Sequence, residues 1–246
     1  GLSALMIIRF DFKQMIKILT SILFFYWILL WSKSGESPYD LESNLVRTVD
    51  IFILGENHLY RGFGIPFDPE GILSTIPSIG TIIIGYLMGG MLHTTKNYND
   101  CIKRMFAFGT ALIFVGYLWG FLFPINKALW TSSYVLFTGG IGAIFLSLLT
   151  YLIDIKRFKK PFWVFEIFGT NSIFVFILSG LWVKTIMNIK RELNGEMTSA
   201  YNYLYKTVFV PLAGDINGSL LFAIAHVIGF WFILYWMYKK NIQIKL

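Results

Sequence analysis

Two carboxylates with a single proline between them, Asp68-Pro69-Glu70, stand in the stretch RGFGIPFDPEGILSTIPS at 61–78, directly ahead of a long apolar run. Acids at the mouth of an apolar segment are unfavourable unless something solvates or uses them. One use is chemical: they could orient a base or hold a sugar hydroxyl in a cleft between helices. The other is local. Asp68 would be an N-cap, Pro69 the first helical residue, and Glu70 a first-turn acid favoured by the helix dipole. The residues alone leave both readings open.

Two further polar groups interrupt apolar sequence. FPINKALWT at 123–131 places Asn126 and Lys127 in a turn of a few residues, close to Trp130. Lys127 is either a partner for an anion or carboxylate, or a lysine that snorkels to the surface. FEIFGTNSIF at 165–174 holds Glu166, Asn171 and Ser172. A carboxylate inside a membrane marks a pathway or a partner, but Glu166 also sits close behind Lys159 and Lys160, where a surface ion pair explains it. Asn171 and Ser172 could bond across helices, worth about 1 kcal/mol each. The three histidines, His58, His93 and His226, are scattered, and no group of His, Cys, Asp and Glu has metal-ligand spacing. Cys101, the single cysteine, excludes an intrachain disulfide and reads as a packing residue. No phosphate loop, nucleophile elbow or dinucleotide fingerprint is present.

The elements that must position these residues are membrane helices. The chain has 246 residues, of which 56% are hydrophobic, 18% aromatic and 14% charged, with a mean hydropathy of +0.63. A soluble domain carries about 25% charged residues. The expected fold is all-α: one polytopic helix bundle over 1–246, with six complete spans near 13–31, 70–93, 102–123, 130–153, 162–186 and 219–238. GLSALMII at 1–8 is too short to span and reads as the tail of a preceding helix. The chain is then expected to be a fragment. Glycine pairs at Gly85/Gly89 and Gly116/Gly120, and the cluster Gly139, Gly140 and Gly142, suggest close helix packing.

Charge orients the spans. Of twenty-one basic residues, thirteen fall in one alternating set of short connections, around Arg9–Lys17, Lys96–Arg104, Lys156–Lys160 and Lys239–Lys245. The other eight are spread over longer loops that carry ten of the fourteen acids. The positive-inside rule makes the first set cytoplasmic and turns the segments 33–69, 124–129 and 188–218 outward. The formal net charge of +7 then reflects topology and anionic lipid, with no call for nucleic acid.

The series LGENHLYRG, IPFDPEGILSTIPSIGTIIIGYLMGG, FPINKALWTSSYVLFTGG, FGTNSIFVFILSGL and YWMYKKNIQIKL resembles, through nearly the whole chain, the heparan-alpha-glucosaminide N-acetyltransferase family. Its bacterial members are mostly uncharacterised membrane proteins. The resemblance implies a bacterial inner-membrane bundle that moves an acetyl group from cytoplasmic acetyl-CoA to an outward-facing amino sugar or glycan, with no metal. It implies Asp68 and Glu70 as supporting acids. Asn126, Lys127, Trp130, Asn171 and Ser172 would hold the acceptor or the pantetheine arm. The family's active-site histidine lies in the amino-terminal half, ahead of the stretch matched here. His58 belongs to the HLY pattern and does not replace it. A sugar transporter, a non-catalytic scaffold and a homo-oligomer stay open. The charge pattern predicts both termini on the cytoplasmic side. In intact cells, an impermeant thiol reagent should then label Ser34→Cys and spare Lys159→Cys; labelling of Lys159→Cys from outside reverses the topology.

Overall fold

The structure is a computed structural model, and it describes residues 9–33, 37–95 and 97–244. The segment 1–8, read above as the tail of a helix, lies outside the described residues. The chain divides into two compact units, Gly1–Phe158 and Lys159–Leu246. Among the described residues, five helices are long and apolar enough to cross a membrane, or six when a bent pair is taken as one span. The protein is an all-α polytopic membrane protein.

In the first unit, α1 (Phe12–Lys33) opens on a capping box. Asp11 Oδ1 accepts from the Gln14 amide at 2.7 Å, and Gln14 Oε1 accepts from the Asp11 amide at 2.9 Å, so two orphan donors are satisfied reciprocally. A short amphipathic helix follows, α2 (Leu45–Leu54), capped by the Asn44 side chain and ended by Gly55 at φ 79°. At ten residues it is about 15 Å long, half the thickness of the hydrocarbon core. The spans α3 (Thr75–Thr94), α4 (Tyr98–Trp119) and α5 (Ser132–Thr150) complete the unit, and α5 runs on into a π-helical turn at Tyr151–Ile155. Met15, Leu19 and Leu23 of α1, Ile83, Ile84 and Leu87 of α3, and Val135 and Leu136 of α5 form its buried core.

Two of the expected glycine groups do bring backbones together. A Cβ built on Gly109 would lie 2.8 Å from the Gly140 carbonyl oxygen, and one on Gly140 would lie 2.6 Å from the Gly109 oxygen. Gly116 meets the backbone of Ser133 and Phe137 in the same way. The α4–α5 contact is therefore made by backbone on backbone. Gly85, Gly89 and Gly142 differ: nothing lies within 4 Å of a Cβ at any of them. Spacing alone did not say which glycines face a helix.

In the second unit, α6 (Trp163–Thr170) and α7 (Ser172–Asn188) meet at 71°. The single span expected at 162–186 is thus broken at Asn171. A hairpin follows in what was read as an outward loop: β1 (Lys190–Leu193) pairs antiparallel with β2 (Glu196–Ser199). Its turn residues Asn194 and Gly195 both have positive φ, as a two-residue type I′ turn requires. Then come α8 (Ala200–Leu204), a π-helical turn at Tyr205–Phe209, and α9 (Val210–Lys239), which breaks at Gly214 (φ 75°). A Cβ at Gly218 would be 2.7 Å from the Phe209 carbonyl oxygen. In a straight helix these residues are about 13 Å apart, so the chain folds back at Gly214. Tyr201, Tyr205 and Phe209 accordingly pack on Phe222. Gly140→Ala should destabilise the protein by about 1–3 kcal/mol through overpacking, while Gly142→Ala leaves it unchanged. Thermal unfolding in detergent checks the contrast; equal melting temperatures would mean that α4 and α5 are not in this contact.

Candidate functional site

Asp68 does not cap a helix. The Glu70 amide donates to Asp68 Oδ1 at 2.9 Å, and the Gly71 amide to the Asp68 carbonyl at 3.2 Å. These bonds close the turn Asp68-Pro69-Glu70-Gly71. The span begins later, at Thr75, preceded by Ser74, whose hydroxyl donates to the Gly71 carbonyl at 2.8 Å. The physical reason lies in the same four residues. Aspartate first, proline second and glycine fourth is also the preferred pattern of a type I turn. Glu70 is exposed at this turn, and Asp68 is half-buried.

Behind the turn lies a residue that the sequence reading passed over. Asp50, on α2, is 0% exposed. Its Oδ1 accepts from the Ile72 amide at 2.9 Å. Its Oδ2 is buried with no hydrogen-bond partner among the described residues. A Cβ at Gly71 would overlap the Asp50 carboxylate, so the chain approaches this acid as closely as glycine permits. Burial pushes the Asp50 carboxyl above the usual carboxylate range; the Ile72 amide opposes that shift, and the Asp68 charge adds to it. The available signal was its position: Asp50 falls four residues after buried Val46, on the apolar face of LVRTVDIFIL.

The second turn spends its polar groups on itself. Asn126 Oδ1 accepts from the Ala128 amide at 2.8 Å, and the Asn126 amide donates to Thr131 Oγ1 at 3.1 Å. Trp130, at φ 51°, sends its indole N–H to Thr81 Oγ1 on α3 at 3.2 Å. Lys127 is exposed. The Tyr26 hydroxyl of α1 donates to the Leu129 carbonyl at 2.6 Å, and Ser132 Oγ donates to the Leu23 carbonyl at 2.7 Å. Residues flanking both turns share one apolar cluster: Phe67 and Leu73 beside the first, Phe123, Ala128 and Leu129 beside the second, all against Tyr26, Leu30 and Val46. At this cluster Trp27 Nε1 and the Tyr39 hydroxyl are also buried, the two side chains interacting with each other. At the far end of α3, a cavity of about 580 Å³ is lined by Tyr86, Thr94, Thr95 and Arg104 among others.

Asn171 and Ser172 belong to the second unit. Asn171 is buried, and its amide is engaged twice: Nδ2 donates to the Ile242 carbonyl at 3.0 Å, and Oδ1 accepts from the Ile244 amide at 2.9 Å. It ties the chain end to the break between α6 and α7. Ser172 and Glu166 are exposed. His226 Nδ1 is bonded to the Phe222 carbonyl at 2.8 Å, and its ring borders an apolar cavity of about 320 Å³ with Trp182 and Phe230. His58 Nδ1 is bonded to the Leu54 carbonyl at 2.8 Å. Among the described residues, no three of His, Cys, Asp and Glu are grouped as a metal would need.

No family model matches the chain. The mouse heparan-alpha-glucosaminide N-acetyltransferase is 34% identical over 148 residues, which covers 52% of this chain and 22% of the mouse protein. The human heparan-alpha-glucosaminide N-acetyltransferase is 31% identical over 147 residues, with the same two coverages. The matched length is about half of the chain, shorter than the motifs had suggested. The chain spans about a fifth of the length of the curated relatives it matches. By these alignments about half of the chain is similar to heparan-alpha-glucosaminide N-acetyltransferases.

Proposed function

We propose that this chain is part of a membrane acetyltransferase that moves an acetyl group from cytoplasmic acetyl-CoA to the amino group of an outward-facing sugar or glycan. The observation that carries the reading is the 34% identity to an N-acetyltransferase, joined to an exposed acid, Glu70, on a turn that is fixed from within and from behind. Acetyl transfer to an amine needs a base for the ammonium proton and a donor for the developing oxyanion. On this reading the base is the histidine of the family's amino-terminal half, and the Asp68–Gly71 turn helps to hold the acceptor. Lys127 and Asn126 stand on the other turn of the same cluster and complete that acceptor face. The donor belongs at the opposite end of α3, about 30 Å away, where Arg104 in the 580 Å³ cavity offers a guanidinium to phosphate.

A transporter is the second reading, and the broken helices at Asn171 and Gly214 favour it. In a transporter such breaks leave backbone groups open to the substrate. At these breaks the Asn171 side-chain amide is taken by the backbone of residues 242 and 244, and the Tyr205 hydroxyl bonds the Asp215 carbonyl at 2.8 Å. The alignments favour acyl transfer as the first reading.

The test uses full-length protein in vesicles with labelled acetyl-CoA on the cytoplasmic side and glucosamine-ended acceptor on the other. Asp68→Asn keeps an acceptor for the Glu70 amide and should transfer within a few-fold of wild type. Glu70→Gln should lower turnover about 100-fold or more, with expression and melting temperature unchanged. Normal turnover in Glu70→Gln would return the acid to a purely local role, and movement of unacetylated sugar would favour the transporter.

A further inference from the structure

We propose that Asp50 is a positioning residue: its buried carboxylate sets the Asp68–Gly71 turn, and so sets how Glu70 meets an acceptor amine. The part of the inference that concerns the acceptor rests on the acetyltransferase reading; the part that concerns the turn does not.

Asp50 is the one charged side chain among the buried polar residues described, which otherwise are Asn, Ser and Thr. A carboxylate kept out of water needs compensation. The compensation visible is a charge-assisted bond from the Ile72 amide, 22 residues along the chain. That amide sits just ahead of α3, where Ser74, the N-cap residue, makes no side-chain cap bond and turns its hydroxyl back to the Gly71 carbonyl. Asp50 thus supplies from α2 an acceptor that the local sequence does not. Its other oxygen lies against Gly71, where only a hydrogen fits. The turn is held from inside by Asp68 Oδ1 on the Glu70 amide and from behind by Asp50 on Ile72 and Gly71. With both in place, the direction of the Glu70 side chain follows from the backbone. Asp50 itself, with no exposed surface, acts through the turn.

The test compares Asp50→Ala, Asp50→Asn, Gly71→Ala and the double variant Asp50→Ala/Gly71→Ala in the full-length protein. Asn keeps an acceptor for the Ile72 amide and Ala does not. Asp50→Ala should raise the KM for the acceptor about tenfold or more, the equivalent of one lost hydrogen bond, with the KM for acetyl-CoA held. Asp50→Asn should bring the acceptor KM back to within about threefold of wild type. Gly71→Ala should match Asp50→Ala, and the double variant should add little, because both changes act on one turn. Failure of Asn to rescue, equal rises in both KM values, or additive single effects would each overturn the proposal.

A second readout is independent of activity. Ser74, 3% exposed, lies between the turn and α3. In a Ser74→Cys background, N-ethylmaleimide should modify position 74 at least about tenfold faster with Asp50→Ala than with Asp50 retained or with Asp50→Asn, as local opening would allow. Equal rates would sink the proposal even in an active enzyme. The expected rates in a protein that transfers no acetyl group would keep it and remove the acetyltransferase reading instead. If Asp50→Ala does not reach the membrane, Gly71→Ala gives the same readouts with the carboxylate still present.

Discussion

The hydrogen bond from the Ile72 amide to Asp50 joins segments that apolar burial alone would leave free to slide. The cluster around Tyr26, Phe67, Phe123 and Leu129 brings α1, α2 and both turns together, but apolar contact is non-directional. A buried acceptor is directional, and leaving it unmade costs about 1–3 kcal/mol. The register of the loop ahead of α3 is therefore set by a polar contact inside an apolar cluster. The same division of labour recurs at the second turn. There Tyr26 bonds the Leu129 carbonyl and Ser133 the Phe123 carbonyl, while Leu129 and Phe123 themselves supply apolar area.

The membrane spans were legible because their cause is strong. In hydrocarbon every backbone polar group must be satisfied within the segment, so a run of about 20 apolar residues has few alternatives to helix. The same logic fails for short elements. LVRTVDIFIL is too short to span, and its periodicity was hidden inside a loop otherwise rich in turn residues, although Asn44 and Gly55 bracket it as N-cap and C-cap. Asn194-Gly195 between KREL and EMTS carried the hairpin signal, masked by the assumption that charged sequence between spans is loop.

The site was less legible than the fold, for a different reason. Asp68-Pro69-Glu70-Gly71 satisfies the rules for a helix start and for a type I turn equally well. What decides between them is Asp50, which holds Ile72 where a helix begun at Pro69 would need that amide for itself. No local window contains both residues. Asn171 shows the converse. Its polar side chain in an apolar run fits a bond between helices, and the resemblance adds a contact with substrate; both ends of its amide are taken by the backbone of residues 242 and 244. A polar residue within a membrane segment signals a partner; the partner here is the chain's own backbone.

On the proposed reading, Glu70 and Asp50 separate two properties that an acceptor-binding face needs and that one residue cannot hold at once. An acid that meets substrate must be exposed, and an exposed side chain on a loop has no fixed direction of its own. An acid that fixes direction must be buried and bonded, and burial raises its pKa and bars it from substrate. Asp50 is buried behind the turn, and Glu70 is exposed on it. Placing the two duties on two carboxylates, linked through the backbone of Gly71 and Ile72, lets the exposed acid face water while its position is set elsewhere. This arrangement also explains why a glycine is required between them. The link transmits position only if the backbone lies directly on the buried carboxylate, and any side chain at Gly71 would stand in that space.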